Sequence, residues 1–301
     1  MDNIKLLEYS KKNPEPALDR HYMFIEKHKN LDLYVKKIKE IKELLIAIKK
    51  IKNKKEAKKV LEGLFGDLDK QLTGYANYSE FGCFINACDI TMEDAKKDIS
   101  VLKEVTFLYL DNRELNDIVP TEWIQALLDN NSSRQKGANG ENKLIDILKK
   151  KGFKLTKSLE EFQKSRKAVA RFSSGSKDFS NQAVNIKFGT NFGKKTQGKA
   201  LDLIIKNGED IYFLEAKHMN TGGGGQNQGI LELIELIRMK PQKSNYHFVS
   251  FLDGIFFDKY FKETKKKKNK TQKQIKDIAK YLKKNKNNYF INTAGFEELF
   301  G

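Results

Sequence analysis

Two short runs, Ala200 to Ile205 and Ile211 to Ala216, constrain the fold of this chain more than anything else in it. Each reads as a strand, and the segment Lys206-Asn207-Gly208-Glu209-Asp210 between them carries the Asn-Gly pair of a tight hairpin turn. A helix is predicted before them from Asn139 to Lys151, stopped at Gly152, with weaker strand candidates at Ala168 to Phe172 and Ala183 to Phe188. After them come a glycine run, a helix from Ile230 to Met239 ended before Pro241, and an apolar strand from His247 to Leu252. Helix, hairpin, helix, strand make an α/β core.

The first 130 residues have a different texture. Leu31, Tyr34, Ile38, Ile41, Leu45, Ile48 and later Leu61 and Leu64 recur at three- and four-residue steps, the pattern of an amphipathic helix or helix pair. Further helical patterns run from Thr91 to Leu102 and from Pro120 to Leu128. The polar stretch Asp129 to Gly137 then marks a boundary, giving a helical N-terminal region over 1–130, for DNA binding or dimerisation, and a second domain over 131–301. The Lys-dominated stretch from Lys259 to Asn288 reads as a loop plus a helix through Ile275, Ile278, Ala279 and Leu282.

A formal charge of +17 points to a polyanionic partner, with nucleic acid first. A lysine excess from codon usage alone would raise glutamate with it and leave the balance nearer neutral. Membrane surfaces fit less well, because the Lys-rich segments lack a Trp/Phe/Leu face, and no apolar run approaches the roughly 20 residues of a bilayer span. Cys83 and Cys88 suggest neither a disulfide framework nor a zinc site. A cytoplasmic protein is expected.

Chemistry concentrates at the hairpin. Asp202 lies among aliphatic residues, where a charge is costly unless a partner or a metal ion neutralises it. Glu215 and Lys217 are two apart in Tyr212-Phe213-Leu214-Glu215-Ala216-Lys217-His218, so one face of a strand presents both, and Ala216 between them can offer its carbonyl to an ion. The turn brings Asp202 alongside. Paired carboxylates and a carbonyl suit a hard divalent cation such as Mg2+, and a lysine beside it can position water or stabilise a phosphate in transition.

With Glu215-Ala216-Lys217-His218 as its nearest match, the stretch from about Gly140 to Leu252 resembles the PD-(D/E)xK nuclease superfamily, and within it type II restriction endonucleases of the EcoRI kind. Leu201 stands where the name-giving proline would be. Phe251-Leu252-Asp253-Gly254 is similar to the strand end that follows the catalytic helix in such enzymes. The resemblance implies a central mixed sheet flanked by helices, Mg2+ held by Asp202 and Glu215, catalytic assistance from Lys217, and Glu141 on the preceding helix touching a second metal or its water. It implies a homodimer cutting double-stranded DNA at a short palindromic sequence. Alternatives are a repair, recombination or mobile-element nuclease of the same superfamily, a DNA-binding protein with an inactive core, or a helical scaffold acting through its N-terminal part.

Other residues are expected around this centre. Gly222 to Gln228 reads as a loop whose Gln226 and Asn227 amides can bond adenine in the major groove. Arg134, Lys136, Arg171, Lys187, Lys194 and Lys195 are candidate phosphate contacts, and His218 is a packing residue or orients water or phosphate.

Overall fold

The computed structural model describes the chain except for residues 24, 132, 174, 176, 192–200, 222–223 and 263–269, and except for the side chains at 55, 133–138 and 224–226. It falls into two compact units, one of residues 1–23 with 134–301 and one of residues 24–133. The sequence texture places a single boundary near 130, whereas the chain's first residues join the larger unit. The reason lies in helix α1 (Asn3–Lys12), which buries Leu6 and Leu7 there. Its Asn3 amide also donates to the carbonyls of Leu282, Asn285 and Asn288.

The smaller unit is helical: α2 (Leu31–Ile51), α3 (Lys58–Gln71), α4 (Glu80–Ala87), α5 (Met92–Lys97), α6 (Ile99–Asn112) and α7 (Thr121–Asn130). The long periodic stretch after Leu31 is a helix pair. Ile41, Leu45 and Ile48 of α2 pack with Phe65 and Leu68 of α3 and with Tyr109 of α6. Asp98 separates α5 from α6 by capping the latter through the Ser100 amide.

The larger unit continues with α8 (Ser133–Lys150), β1 (Lys154–Leu155), α9 (Leu159–Lys164), β2 (Lys167–Arg171), α10 (Asn181–Phe188), β3 (Leu203–Asn207) and β4 (Asp210–His218). It ends with α11 (Gly224–Arg238), β5 (Tyr246–Asp253), α12 (Phe256–Lys262), α13 (Lys270–Lys284), β6 (Tyr289–Ile291) and α14 (Thr293–Leu299). Six strands form one mixed sheet in the order β1 to β6. β2, β3 and β4 are an antiparallel meander, while β1 joins β2, β5 joins β4 and β6 joins β5, all in parallel. Strand alternation sorts the core: Leu203, Ile205 and Leu214 face α8 and α14, while Ile204 and Phe213 pack with α9, α10 and Leu236 of α11. A further cluster joins α11, α12 and α13 through Leu233, Ile237, Phe257, Ile278 and Leu282. No helix among the described residues is long and apolar enough to cross a membrane.

Three local expectations are corrected. Residues 183–188 belong to a helix, because Ser180 caps it through the Ala183 amide and Val184 and Phe188, four apart, are buried while Ile186 is 78% exposed. The hairpin turn lies one residue later than the Asn-Gly signal suggests. Asn207 pairs with Asp210, leaving Gly208 and Glu209 as the turn, with Gly208 at φ +64°, the position of a type II′ turn that glycine fills without strain. Finally, the helix expected from Ile230 begins at Gly224, so Gln226, Asn227 and Gln228 are helical rather than in a loop.

Candidate active site

The meander sets the geometry. Leu203 pairs with Leu214, yet the Asp202 amide also donates to the Leu214 carbonyl at 3.0 Å. Two residues of one strand thus face one of the other, the pattern of a bulge, which turns a side chain out of the regular alternation. Asp202 uses that freedom to accept the Ala216 amide on Oδ2 at 2.7 Å. In an extended strand a residue's carbonyl leaves on the same edge as its amide, so Ala216 also directs its carbonyl toward the Asp202 edge.

Glu215 is 4% exposed and is ion-paired with Lys217, whose ammonium also meets Glu232 of α11 at 3.1 Å. Gly229, one turn before Glu232, lies against the same strand end: a Cβ there would stand 2.5 Å from the flexible tip of Met219, Cε, and in ordinary contact with Lys217 Cδ at 3.6 Å. Glu141, in α8, is paired with Arg171 of β2 at 3.2 Å. Burial raises the Glu141 pKa, with the Glu215 charge adding to it and Arg171 opposing it. The Asp202 carboxyl is pushed up to about 7, by burial first and then by the charge of Glu215, with Glu141 adding to both. Three carboxyl groups therefore repel one another in a partly dry pocket. A divalent cation reverses that repulsion, and an all-oxygen set of carboxylates with one strand carbonyl has the chemistry of a hard metal site. Asp202, Glu215, Glu141 and the Ala216 carbonyl are the groups that would hold it once their oxygens are drawn together, since among the described residues the set of three acids with oxygens already within 4.8 Å of one another is Glu15, Asp19 and Asp253.

The sign of the Asp202 shift gives a pH prediction. Because its folded pKa lies above the unfolded value, this group contributes stability that is whole below about 3.8 and lost as pH rises through about 7. Metal binding must also displace the proton below that point. Magnesium is expected to raise the melting temperature more at pH 8 than at pH 6, and the half-saturating concentration should rise about fivefold from pH 7 to pH 6. Equal gains at both pH values would remove Asp202 from the ligand set.

Several expected contacts fall elsewhere. Arg171, a candidate for phosphate, is engaged with Glu141 and Asn142. Lys187 is exposed on α10, and Asn227 is half-buried in the first turns of α11. Lys194 and Lys195 lie outside the described residues, as do the side chains of Arg134, Lys136 and Gln226.

His218 points away from Glu215 and Lys217, as strand alternation requires. It stacks on Tyr22 with ring centroids 3.6 Å apart. At 3.8 Å its Nδ1 is too far from Asp253 for a hydrogen bond. Tyr22 donates its hydroxyl to Asp253, and Lys143 Nζ lies 2.6 Å from Asp19, 3.0 Å from Asp253 and 3.5 Å from Glu15. Glu15, Asp19 and Asp253 bring their oxygens within 4.8 Å of one another, the spacing of a metal site. Lys143 already fills the cation's place. Burial works against the Asp253 carboxylate, but its partners, Lys143 and Tyr22 among them, outweigh it and hold the group well below the usual range. Glu15, buried and facing Asp253, is raised to about 7.

Glu232 and the Lys143 cluster are absent from the sequence reading. Glu232 shows there only as an acid between Leu231 and Leu233 in a helix, and nothing local pairs it with Lys217. Comparison with known proteins finds no matching family model, no similar curated protein and no similar solved structure.

Proposed function

We propose that this protein is a magnesium-dependent endonuclease that hydrolyses double-stranded DNA at a short specific sequence, in the manner of a PD-(D/E)xK type II restriction enzyme. The observation that carries the reading is the meeting of Asp202, Glu215 and Lys217 at the bulged end of the β3–β4 hairpin, with Asp202 driven up to about 7 by burial and by its acidic neighbour. The order helix, hairpin, helix, strand around that site and the charge of +17 support it.

Bound magnesium supplies a Lewis acid at the scissile phosphate and water of lowered pKa. Asp202 and Glu215 would hold the ion, with Glu141 reaching it from α8. Lys217, held between Glu215 and Glu232, offers its ammonium protons to the attacking water or to the non-bridging oxygens as charge develops on them. Glu232 is a positioning residue for that lysine. Glu232→Gln is expected to lower the cleavage rate about 10- to 100-fold and to leave duplex affinity in calcium unchanged. A wild-type rate would leave Lys217 positioned by Glu215 alone.

Incubation of the purified protein with unmethylated phage DNA and magnesium tests the function directly. Discrete fragments are expected. A smear would keep the chemistry and remove the site specificity, while intact DNA would remove both. A homodimer acting on a palindrome is part of the proposal, and sedimentation in the presence of cognate duplex reads it.

A further inference from the structure

Surface lysines on this protein's helices are commonly matched by an acid one turn away: Lys11 with Glu8, Lys70 with Asp67, Lys164 with Glu160, Lys262 with Asp258. Others, such as Lys36 and Lys39 of α2, are exposed and in no ion pair among the described residues, and in helix α13 that state is general. Lys270, Lys273, Lys276, Lys280, Lys283 and Lys284 are all exposed, and among the described residues none of them is in an ion pair. The helix contains a single acid, Asp277. Helix stability does not account for the pattern, because Lys270 and Lys273 stand at the N-terminal end, where the macrodipole disfavours cations.

We propose that α13 is a track for the sugar-phosphate backbone of duplex DNA. Lys273, Lys276, Lys280 and Lys283 follow one another at steps of three, four and three, so they form one stripe about 15 Å long at 1.5 Å per residue. One DNA strand rises ~3.4 Å of axis per phosphate while winding around it, so its phosphates stand about twice that far apart along the backbone and the stripe spans about two to three of them. The opposite face of the helix is occupied: Ile278 and Leu282 are buried against Leu233 and Ile237 of α11. No apolar face is left to enter a lipid surface, which leaves charge as the only recognition chemistry α13 presents.

The track also has a direction. Asn285 and Asn288, just past the end of α13, donate to the carbonyls of Ile237, Arg238 and Met239 at the end of α11. The two helices therefore end together. Since α11 leaves the C-terminal end of β4, α13 begins at the end of the sheet that carries Glu215 and Lys217 and runs away from it. Duplex cut at the candidate site would have its flanking backbone along these lysines. The inference rests on DNA being the substrate, not on its being cleaved.

The test uses the full chain carrying Lys273→Gln, Lys276→Gln, Lys280→Gln and Lys283→Gln together, with a fluorescent 30-base-pair duplex titrated in calcium at several NaCl concentrations. All four positions are exposed, and the far-UV spectrum and melting temperature check that the variant folds. The slope of log affinity against log salt should fall by about 2 to 3, since each lost phosphate contact removes about 0.9. Affinity at low salt should drop at least about 100-fold, while cleavage at saturating protein stays at the wild-type rate. An unchanged slope overturns the track, and displacement of the duplex by poly-glutamate at equal charge shows a basic site for any polyanion and overturns the assignment to DNA. Protein that binds through these lysines but never cuts would sink the nuclease and leave the track standing. Protein that cuts with a slope indifferent to them would do the reverse.

Discussion

Asp202→Asn, Glu215→Gln and Lys217→Ala are each expected to lower single-turnover DNA cleavage by at least about 10³-fold, with cooperative unfolding retained. None of the three changes removes apolar core volume. Asp202→Asn keeps an oxygen to accept the Ala216 amide while removing a charge that burial and Glu215 already disfavour, so its melting temperature should rise at pH 8 and change little at pH 5. Glu215→Gln leaves Lys217 with Glu232 as its partner. Lys217→Ala acts oppositely, because the ammonium now opposes the rise at Asp202, and its loss should make the site harder to ionise. Duplex affinity in calcium should survive best in Lys217→Ala, whose carboxylates remain. A wild-type cleavage rate in any one variant would sink the assignment, and loss of folding in all three would make the cluster structural.

Lys143→Met is expected to destabilise the larger unit by about 3–5 kcal/mol at pH 7.5, the cost of leaving buried carboxylates without their cation. Lys143 and Asp253 are 3% and 1% exposed, Glu15 is 7% exposed, and the ammonium is the shared cation of Glu15, Asp19 and Asp253. The pH dependence has a definite sign. In the variant these carboxyls should have raised folded pKa values, so the deficit should be largest at high pH and shrink as pH falls and they protonate. Urea unfolding at pH 7.5 and pH 5 reads both numbers. A loss below about 1 kcal/mol, or one independent of pH, would mean that solvent or a bound cation takes the ammonium's place.

The sequence alone carries the class of fold and the neighbourhood of the candidate site. Period-two strands around Asp202 and Glu215-Ala216-Lys217, with helices before and after, are enough to expect an α/β core, and the six-stranded mixed sheet with its flanking helices has that form. The same two-residue repeat accounts for Glu215 and Lys217 sharing a face and His218 leaving it. Where short segments are ambiguous, tertiary burial decided. Ala183 to Phe188 alternates well enough for a strand, but a strand would bury Ile186 with Val184 and Phe188, and only a helix turns it out to solvent. The glycines after Thr221 look like a loop until α11 begins among them. The bulge at Asp202 depends on β2 and β4 both bonding to that residue.

What only the tertiary structure could decide is which charge meets which. Tyr22 and Asp253 are 231 residues apart and Lys143 and Asp253 are 110 apart, yet they share one buried cluster. Periodicity records which face a side chain leaves from. The partner that neutralises a buried charge is set by the packing of distant elements, so Glu232 beside Lys217 and Lys143 among its three acids become visible only once the sheet has closed around them.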